Sequence, residues 1–251
     1  MMPEGDPSVF TQAFYGCEAD EIAEVVLLTP MENAFEALKE RGKGVEDIGG
    51  FFQGFNAQLG GRHVSVFNSK IGGPVASDCT YYLRFTPCRS IIYTGLIGAL
   101  QSHIVIGDLI VPTAAYRGDG ASRYFVEEAY PAAADFGLLR ELHSVLEEAY
   151  EDEEIDVHYG PIYTTDSFAT ETEEFLKHWQ SKNLLGIEME TSAIYTVASL
   201  YGIRAVAVHV VSDNPVAERS FFHKIPEEDK TRRHVSEKLL IDALVRLVAG
   251  I

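Results

Sequence analysis

Short apolar runs rich in β-branched residues recur along the chain: VVLLT at 25–29, HVSVF at 63–67, SIIYT at 90–94, DLIVPTAAY at 108–116, HYGPIYTT at 158–165 and IRAVAVHVV at 203–211. Runs of this length, bounded by polar turn residues, read as strands buried on both faces. Helical spacing lies between them. After Asp135, the residues Phe136, Leu139, Leu142 and Leu146 fall on one stripe and predict a helix leading into the acidic run EEAYEDEEI. A second helix is predicted over about 230–249, with Val235, Leu239, Ala243, Leu244 and Leu247 on its buried side. Thr29-Pro30-Met31-Glu32 has the form of a capped helix start, with Thr29 as the cap, Pro30 in the first turn and Glu32 completing a capping box. Strands alternating with helices predict an α/β sheet covered on both faces.

Composition narrows the partners. The 251 residues, 46% of them hydrophobic, suffice for one domain with a sizeable core, and no repeat, linker or low-complexity tract divides them. A formal charge of −18, from 20 basic residues against 38 acidic ones, repels polyanions and argues against nucleic acid as a partner. Cys17, Cys79 and Cys88 are odd in number and lack CxxC spacing, so neither disulfides nor a zinc site is indicated and a reducing, cytoplasmic setting is expected. No basic start leads into an apolar run, and no stretch approaches the roughly 18 apolar residues of a membrane span. The eight histidines show no metal-ligand spacing, so neither metal nor cofactor is expected. His209, inside an apolar strand, reads as a core histidine. Gly49, Gly50 and Gly54 read as a loop, and Gly118-Asp119-Gly120 as a turn.

Two segments carry candidate chemistry. In GIEMETSAIYTVA at 186–198, Glu188 and Glu190 flank Met189 between a short apolar segment and an apolar helix. Acids there serve a helix first turn through capping and the helix dipole. Equally, Glu190 suits a cis-diol, because two carboxylate oxygens match two neighbouring hydroxyls, with Met189 as an apolar floor under the sugar ring. In VVSDNP at 210–215, Asp213 follows the most apolar strand candidate, where ligands bind at the carboxyl ends of an open α/β sheet. Asp-Asn-Pro is also ordinary turn chemistry.

IGGP at 71–74, GDLIVPTAAYRGDGAS at 107–122, YPAAADF at 130–136, GPIYTTDSF at 160–168, GIEMET at 186–191 and VSDNP at 211–215 together resemble the nucleoside phosphorylase and nucleosidase superfamily. The likeness runs from about Val25 to the end, leaving 1–24 as an amino-terminal extension and 25–251 as the family domain. Through LLT at 27–29, RGDGAS and YTTD at 163–166 it is especially similar to the short form of AMP nucleosidase. The resemblance implies a single α/β domain with a twisted mixed central sheet flanked by helices. It implies an enzyme that cleaves the N-glycosidic bond of a purine nucleoside or nucleotide and releases the free base. Met189 and Glu190 would hold the ribose with Glu188 close by, Asp213 would protonate the base as general acid, and Phe168 and Ser212 would contact the base. Gly72, Thr94 and Gly95 would supply pocket backbone. It also implies a homo-oligomer, a dimer or a hexamer of three dimers, with pockets near a subunit boundary.

The chain departs from that pattern where phosphorylases of the superfamily bind inorganic phosphate. The loop that usually reads Gly-Asp-Pro followed by Arg aligns with Thr29-Pro30-Met31-Glu32, the strand usually reading Arg-Val-Gly-Ser or Arg-Val-Gly-Thr aligns with Tyr93-Thr94-Gly95-Leu96, and the arginine lent by a neighbouring subunit aligns near Gly50. Losing charge-assisted bonds of about 1.5–3 kcal/mol each leaves little affinity for phosphate, so water is expected as the acceptor, with phosphorolysis as the alternative. Arg84, Arg89, Arg117 and Lys70 are candidate replacements, with surface pairing as their plainer role. The Gln and Arg of uridine-cleaving relatives align with Thr172 and Glu174, which favours a purine. The family's amino-terminal histidine has no counterpart, since the first histidine is His63. Phe221, Phe222 and His223 are candidates for a lid over the base. A degenerate relative that binds nucleosides without turnover is the reading from a different class.

Overall fold

A computed structural model describes residues 7–151, 153–217, 219 and 224–251. All six apolar runs form strands: β1 (Val25–Thr29), β4 (Arg62–Asn68), β5 (Ser90–Ala99), β6 (Leu109–Arg117), β8 (Val157–Thr164) and β10 (Arg204–Asp213). Four further strands complete the sheet, β2 (Lys43–Gly49), β3 (Gln53–Leu59), β7 (Ala132–Ala133) and β9 (Gly186–Glu188). Of the glycines read as a loop, Gly50 lies in the connection of a hairpin, whereas Gly49 and Gly54 belong to its strands, Gly49 pairing with Gln53 and Gly54 with Ile48. The weak patterning of β2, mostly exposed, hides it from a periodicity reading.

The sheet is mixed, as expected, and β5 is its hinge. β5 runs parallel to β1 on one side and to β10 on the other, while its last residues, Gly98 and Ala99, pair antiparallel with Ile187 and Gly186 of β9. β10 pairs with β6, β6 with β8 and β8 with β9, so this half of the sheet curls back onto β5. Gly186 permits the closure: a Cβ there would lie 2.7 Å from the Ile97 side chain and 2.9 Å from the Gly98 carbonyl oxygen.

Alternation along the strands feeds two cores. Val26, Leu28, Ile91 and Tyr93 face α1 (Pro7–Tyr15), α3 (Gly73–Leu83) and α6 (Thr191–Leu200). Val25, Leu27 and Ile92 face α2 (Glu32–Arg41), α4 (Phe136–Tyr150) and α7 (Glu227–Gly250). The remaining helix, α5 (Glu173–Gln180), buries only Leu176. Residues ahead of β1 join the first core: the Tyr15 hydroxyl donates to the Cys79 carbonyl at 2.5 Å, and Phe14 stacks on Tyr82 at 4.0 Å. Cys17, Cys79 and Cys88 are buried and unbonded to one another.

Three local expectations are corrected. In α4, capped by Asp135 accepting from the Leu138 N–H at 2.9 Å, the buried stripe is Leu138, Leu142 and Leu146, while Phe136 is 76% exposed. In α7, Ala243, Leu244 and Leu247 are buried as expected and Leu240 joins them, while Val235 is turned to solvent. Thr29 caps nothing, because pairing with Asn68 keeps it in β1; its hydroxyl accepts from the Met31 N–H, and Met31 is the residue preceding the first turn of α2. No helix among the described residues is long and apolar enough to cross a membrane.

Candidate active site

The carboxyl ends of β5, β9 and β10 converge on a cavity of about 810 Å³, the location expected for a ligand site in an α/β sheet. Glu188, Met189, Glu190, Ser212, Asp213 and Phe168 all line it. The two candidate segments, GIEMET and VSDNP, therefore meet at one cavity.

The local fold explains why two acids in GIEMET do different work. β9 ends at Glu188, and the chain turns at once into α6. One Glu188 oxygen accepts the N–H groups of Glu190 and Thr191 and the Thr191 hydroxyl, each at 2.8 Å; the other accepts the Thr164 hydroxyl at 2.5 Å. Glu188 thus satisfies the start of α6, which is the capping role open in the sequence, and its carboxyl braces the site from behind. Glu190 instead reaches across the fold. One of its oxygens accepts the Gly72 N–H at 2.6 Å, the other the Tyr93 hydroxyl at 3.0 Å. Gly72, at φ +112°, adopts a backbone that favours glycine, and this aims its N–H at Glu190 as the chain enters α3. Glu190 also lines the cavity, so its carboxyl can meet a diol there in addition to the bonds already made.

Electrostatics follow from burial. Glu188 is pushed up to about 8, first by burial and then by the charge of Glu190. Burial also raises Glu190, against hydrogen bonds from Gly72, Tyr93 and the Met189 backbone that favour its charged form. Tyr93 is held well above its ordinary value by burial and by the two glutamates, so it stays a donor. Behind Glu188, the Thr191 hydroxyl lies 2.9 Å from Nε2 of His209. Since that hydroxyl donates to Glu188, His209 donates through Nε2, and its buried Nδ1 has no hydrogen-bond partner among the described residues. His209 is the core histidine expected, and burial lowers it from 6.5 to about 3. The unfolded chain then binds the extra proton, so stability falls as pH drops from 6.5 toward 3. His209→Gln is expected to reduce the loss between pH 6.5 and 4 by roughly 3 kcal/mol, read by urea unfolding across that range.

Asp213 closes β10 at an irregularity in its pairing with β5 that sets it opposite Gly98. It is buried, and one of its oxygens accepts the Ser212 hydroxyl at 2.8 Å. Thr94 and Gly95 stand apart from the cavity. Thr94 lines a smaller one, about 270 Å³, between α2 and α7, and Leu96 takes the place on the main wall. Thr94 points there because strand alternation turns it to the face opposite Tyr93.

None of the four candidate replacement cations lines the main cavity. The Arg84 guanidinium stacks on Tyr81, Phe85 and Tyr201; Arg117 donates to carbonyls of Glu127, Glu128 and Tyr130; Lys70 sits over Phe51; Arg89 is exposed. Thr172 caps α5, and Glu174 is exposed. Asp119 holds the Ser122 N–H and the Ser122 and Ser192 hydroxyls, a structural role for the GDG turn. Phe221, Phe222 and His223 lie outside the described residues. Asp108, Asp156 and His158 bring potential ligand atoms within 4.8 Å, but away from the cavity, and Asp108 is already bonded to Arg232 and His158. Sequence reasoning missed the Tyr93 hydroxyl, Thr164, Thr191 and Glu171, none of which stands in a local pattern that marks it.

Fold and cavity define an α/β protein with an acid-lined cavity at the carboxyl edge of its sheet. Residues 24–249 match the family model described as the Phosphorylase superfamily, and the chain belongs to that superfamily, the one of nucleoside phosphorylases. It is 31% identical to a guanosine phosphorylase of Halorubrum lacusprofundi, covering 76% of this chain and 80% of that one. It is 30% identical to a DeoD-type purine nucleoside phosphorylase of a Jannaschia species, covering 86% and 91%. A crystal structure of uridine phosphorylase from Vibrio fischeri superposes with a TM-score of 0.82 at 26% identity, covering 93% of this chain and 95% of the other.

Proposed function

We propose that the protein cleaves the N-glycosidic bond of a purine nucleoside and passes the sugar to water. Asp213 donates a proton to a ring nitrogen of the base as the C1′–N bond breaks and its electron pair leaves with the base. Glu190 and Met189 hold the ribose, and the negative field of the glutamates favours the oxocarbenium-like sugar. Water then adds to C1′, and the proton it sheds restores the acid.

One observation carries the choice of water. The lining holds five carboxyl residues, Glu171, Glu173, Glu188, Glu190 and Asp213, and a single lysine, Lys177, already paired with Glu173; no arginine lines it among the described residues. An anion entering such a lining meets repulsion without a guanidinium to offset it. The same field disfavours a 5′-phosphate, so a nucleoside fits better than a nucleotide. Base release from guanosine, inosine, adenosine and uridine, with and without orthophosphate, tests this. The expected result is equal rates in both buffers, free ribose as product, and purines ahead of uridine. Strict phosphate dependence with ribose 1-phosphate formed would establish the second reading, phosphorolysis, which the activities in the relatives' names favour. Assembly of two or more copies goes with either reading: Ile71 lines the cavity yet is 67% exposed, an apolar rim that a neighbouring subunit would cover.

A further inference from the structure

The smaller cavity, between α2 and α7, takes no part in the chemistry above. Thr94 and Val210 form its floor on the sheet, and Ala34, Ala37, Leu240 and Ile241 wall it from the two helices. At its edge the Asn33 amide donates to Glu237 at 3.3 Å and ties α2 to α7. The charges around it offset one another: Arg41 pairs with Asp242 and Arg233 with Glu237, each at 2.8 Å, while Glu40 and Lys238 add one charge of each sign beside His234. Two features of this cavity point to a ligand. Thr94 is 2% exposed, and its hydroxyl has no hydrogen-bond partner among the described residues. A hydroxyl withdrawn from water is costly unless a bound molecule completes its hydrogen bonding. Met31 lines this cavity and the main one, so one flexible side chain is the wall common to both.

We propose that this second cavity binds a neutral single-ring molecule carrying one hydroxyl, of the phenol class, and that its occupancy weakens nucleoside binding through Met31. Volume sets the size: the cavity holds about 270 Å³, and since an apolar cavity of about 150 Å³ admits benzene, one substituted ring fits. The lining sets the polarity. Apolar side chains surround a single buried hydroxyl, so one polar group on the ligand is satisfied and further ones are stranded, which excludes nucleosides and free bases. An ion gains little where the surrounding charges cancel. Met31 supplies the coupling, because its unbranched thioether repacks readily. A ring against one side of Met31 holds it toward the main cavity and narrows the space beside Pro30 and Leu96. A nucleoside presses it the other way, and the antagonism is reciprocal. Only the coupling rests on the reading of the main cavity as a nucleoside site.

Phenol is the probe, with toluene as its counterpart lacking the hydroxyl. Calorimetric titration is expected to give a Kd for phenol of about 1 mM. Thr94→Val keeps the shape of the floor and weakens phenol about fivefold while leaving toluene unchanged. Ala37→Phe fills the cavity and removes both. In protein isotope-labelled at its methionine methyls, phenol moves the Met31 resonance but not that of Met189, which lines the main cavity alone. Saturating phenol raises the Kd of guanosine about fivefold in Asp213→Asn, where turnover does not intervene. Should guanosine fail to bind, the nucleoside reading falls, and the phenol titrations with the Met31 resonance still decide the second cavity. Phenol binding that survives Ala37→Phe, a preference for phenol over toluene unchanged by Thr94→Val, a stationary Met31 resonance, or bound guanosine indifferent to phenol overturns the proposal.

Discussion

Asp213→Asn lowers kcat/KM for base release by about 10²–10⁴-fold, the usual contribution of a positioned general acid. Asparagine keeps the volume and the acceptor for the Ser212 hydroxyl, so β10 and its contact with Gly98 persist. What it lacks is a transferable proton. Without that proton the base departs as an anion, and the cost appears in kcat, with nucleoside affinity nearly unchanged. Nucleosides whose bases leave readily should suffer least, which separates loss of the acid from general damage. Steady-state kinetics with circular dichroism as a folding control measure both. Activity within threefold of the parent would remove Asp213 from the chemistry and favour a different acid, Glu171 being the nearest alternative in the cavity.

Glu188 carries the second large effect, on stability. Glu188→Ala strips acceptors from two N–H groups and two hydroxyls, all buried, and is expected to cost about 3–5 kcal/mol in urea unfolding. Glu188→Gln should cost under about 1 kcal/mol. Its amide oxygen can take the three donors at the start of α6, while its NH₂ donates to the Thr164 hydroxyl in a reversed bond. Because Glu188 is pushed up to about 8, the neutral amide also resembles the form populated at pH 7. The two variants together separate a brace from a group in contact with substrate. If the glutamine form folds normally yet loses activity as fully as Asp213→Asn, Glu188 acts on the reaction itself.

Much of the sheet was legible because strands covered on both faces are saturated with apolar, β-branched residues, and such runs stand out without any partner being known. Edge elements do not. β2 is mostly exposed, with Val45 and Ile48 three apart, a spacing closer to a helix than a strand, and only its register with β3, itself paired to β4, makes it part of a hairpin extension. The helix stripes were found at Leu142 and Leu146 and at Ala243, Leu244 and Leu247 and missed at their amino-terminal ends, since spacing fixes a face only to within neighbouring positions. Packing of α4 and α7 against each other and the sheet selected Leu138 over Phe136 and Leu240 over Val235.

At the site, Glu190 and Asp213 were readable because each follows directly on an apolar run, so its neighbours fix its depth and its position at a strand's carboxyl end. Which partners they meet was not. Glu190 is bonded to groups 118 and 97 residues away, and the division of labour between Glu188 and Glu190 depends on those bonds. The sequence alone determined a two-sided α/β sheet with acids at its carboxyl edge, because burial and strand pattern are local properties of residue type. The curl of the sheet onto β5, the turn that brings Glu171 beside Asp213 and the exclusion of Thr94 from the cavity were decided only by tertiary structure. They arise from contacts between distant segments, whose free energy no single stretch of chain encodes.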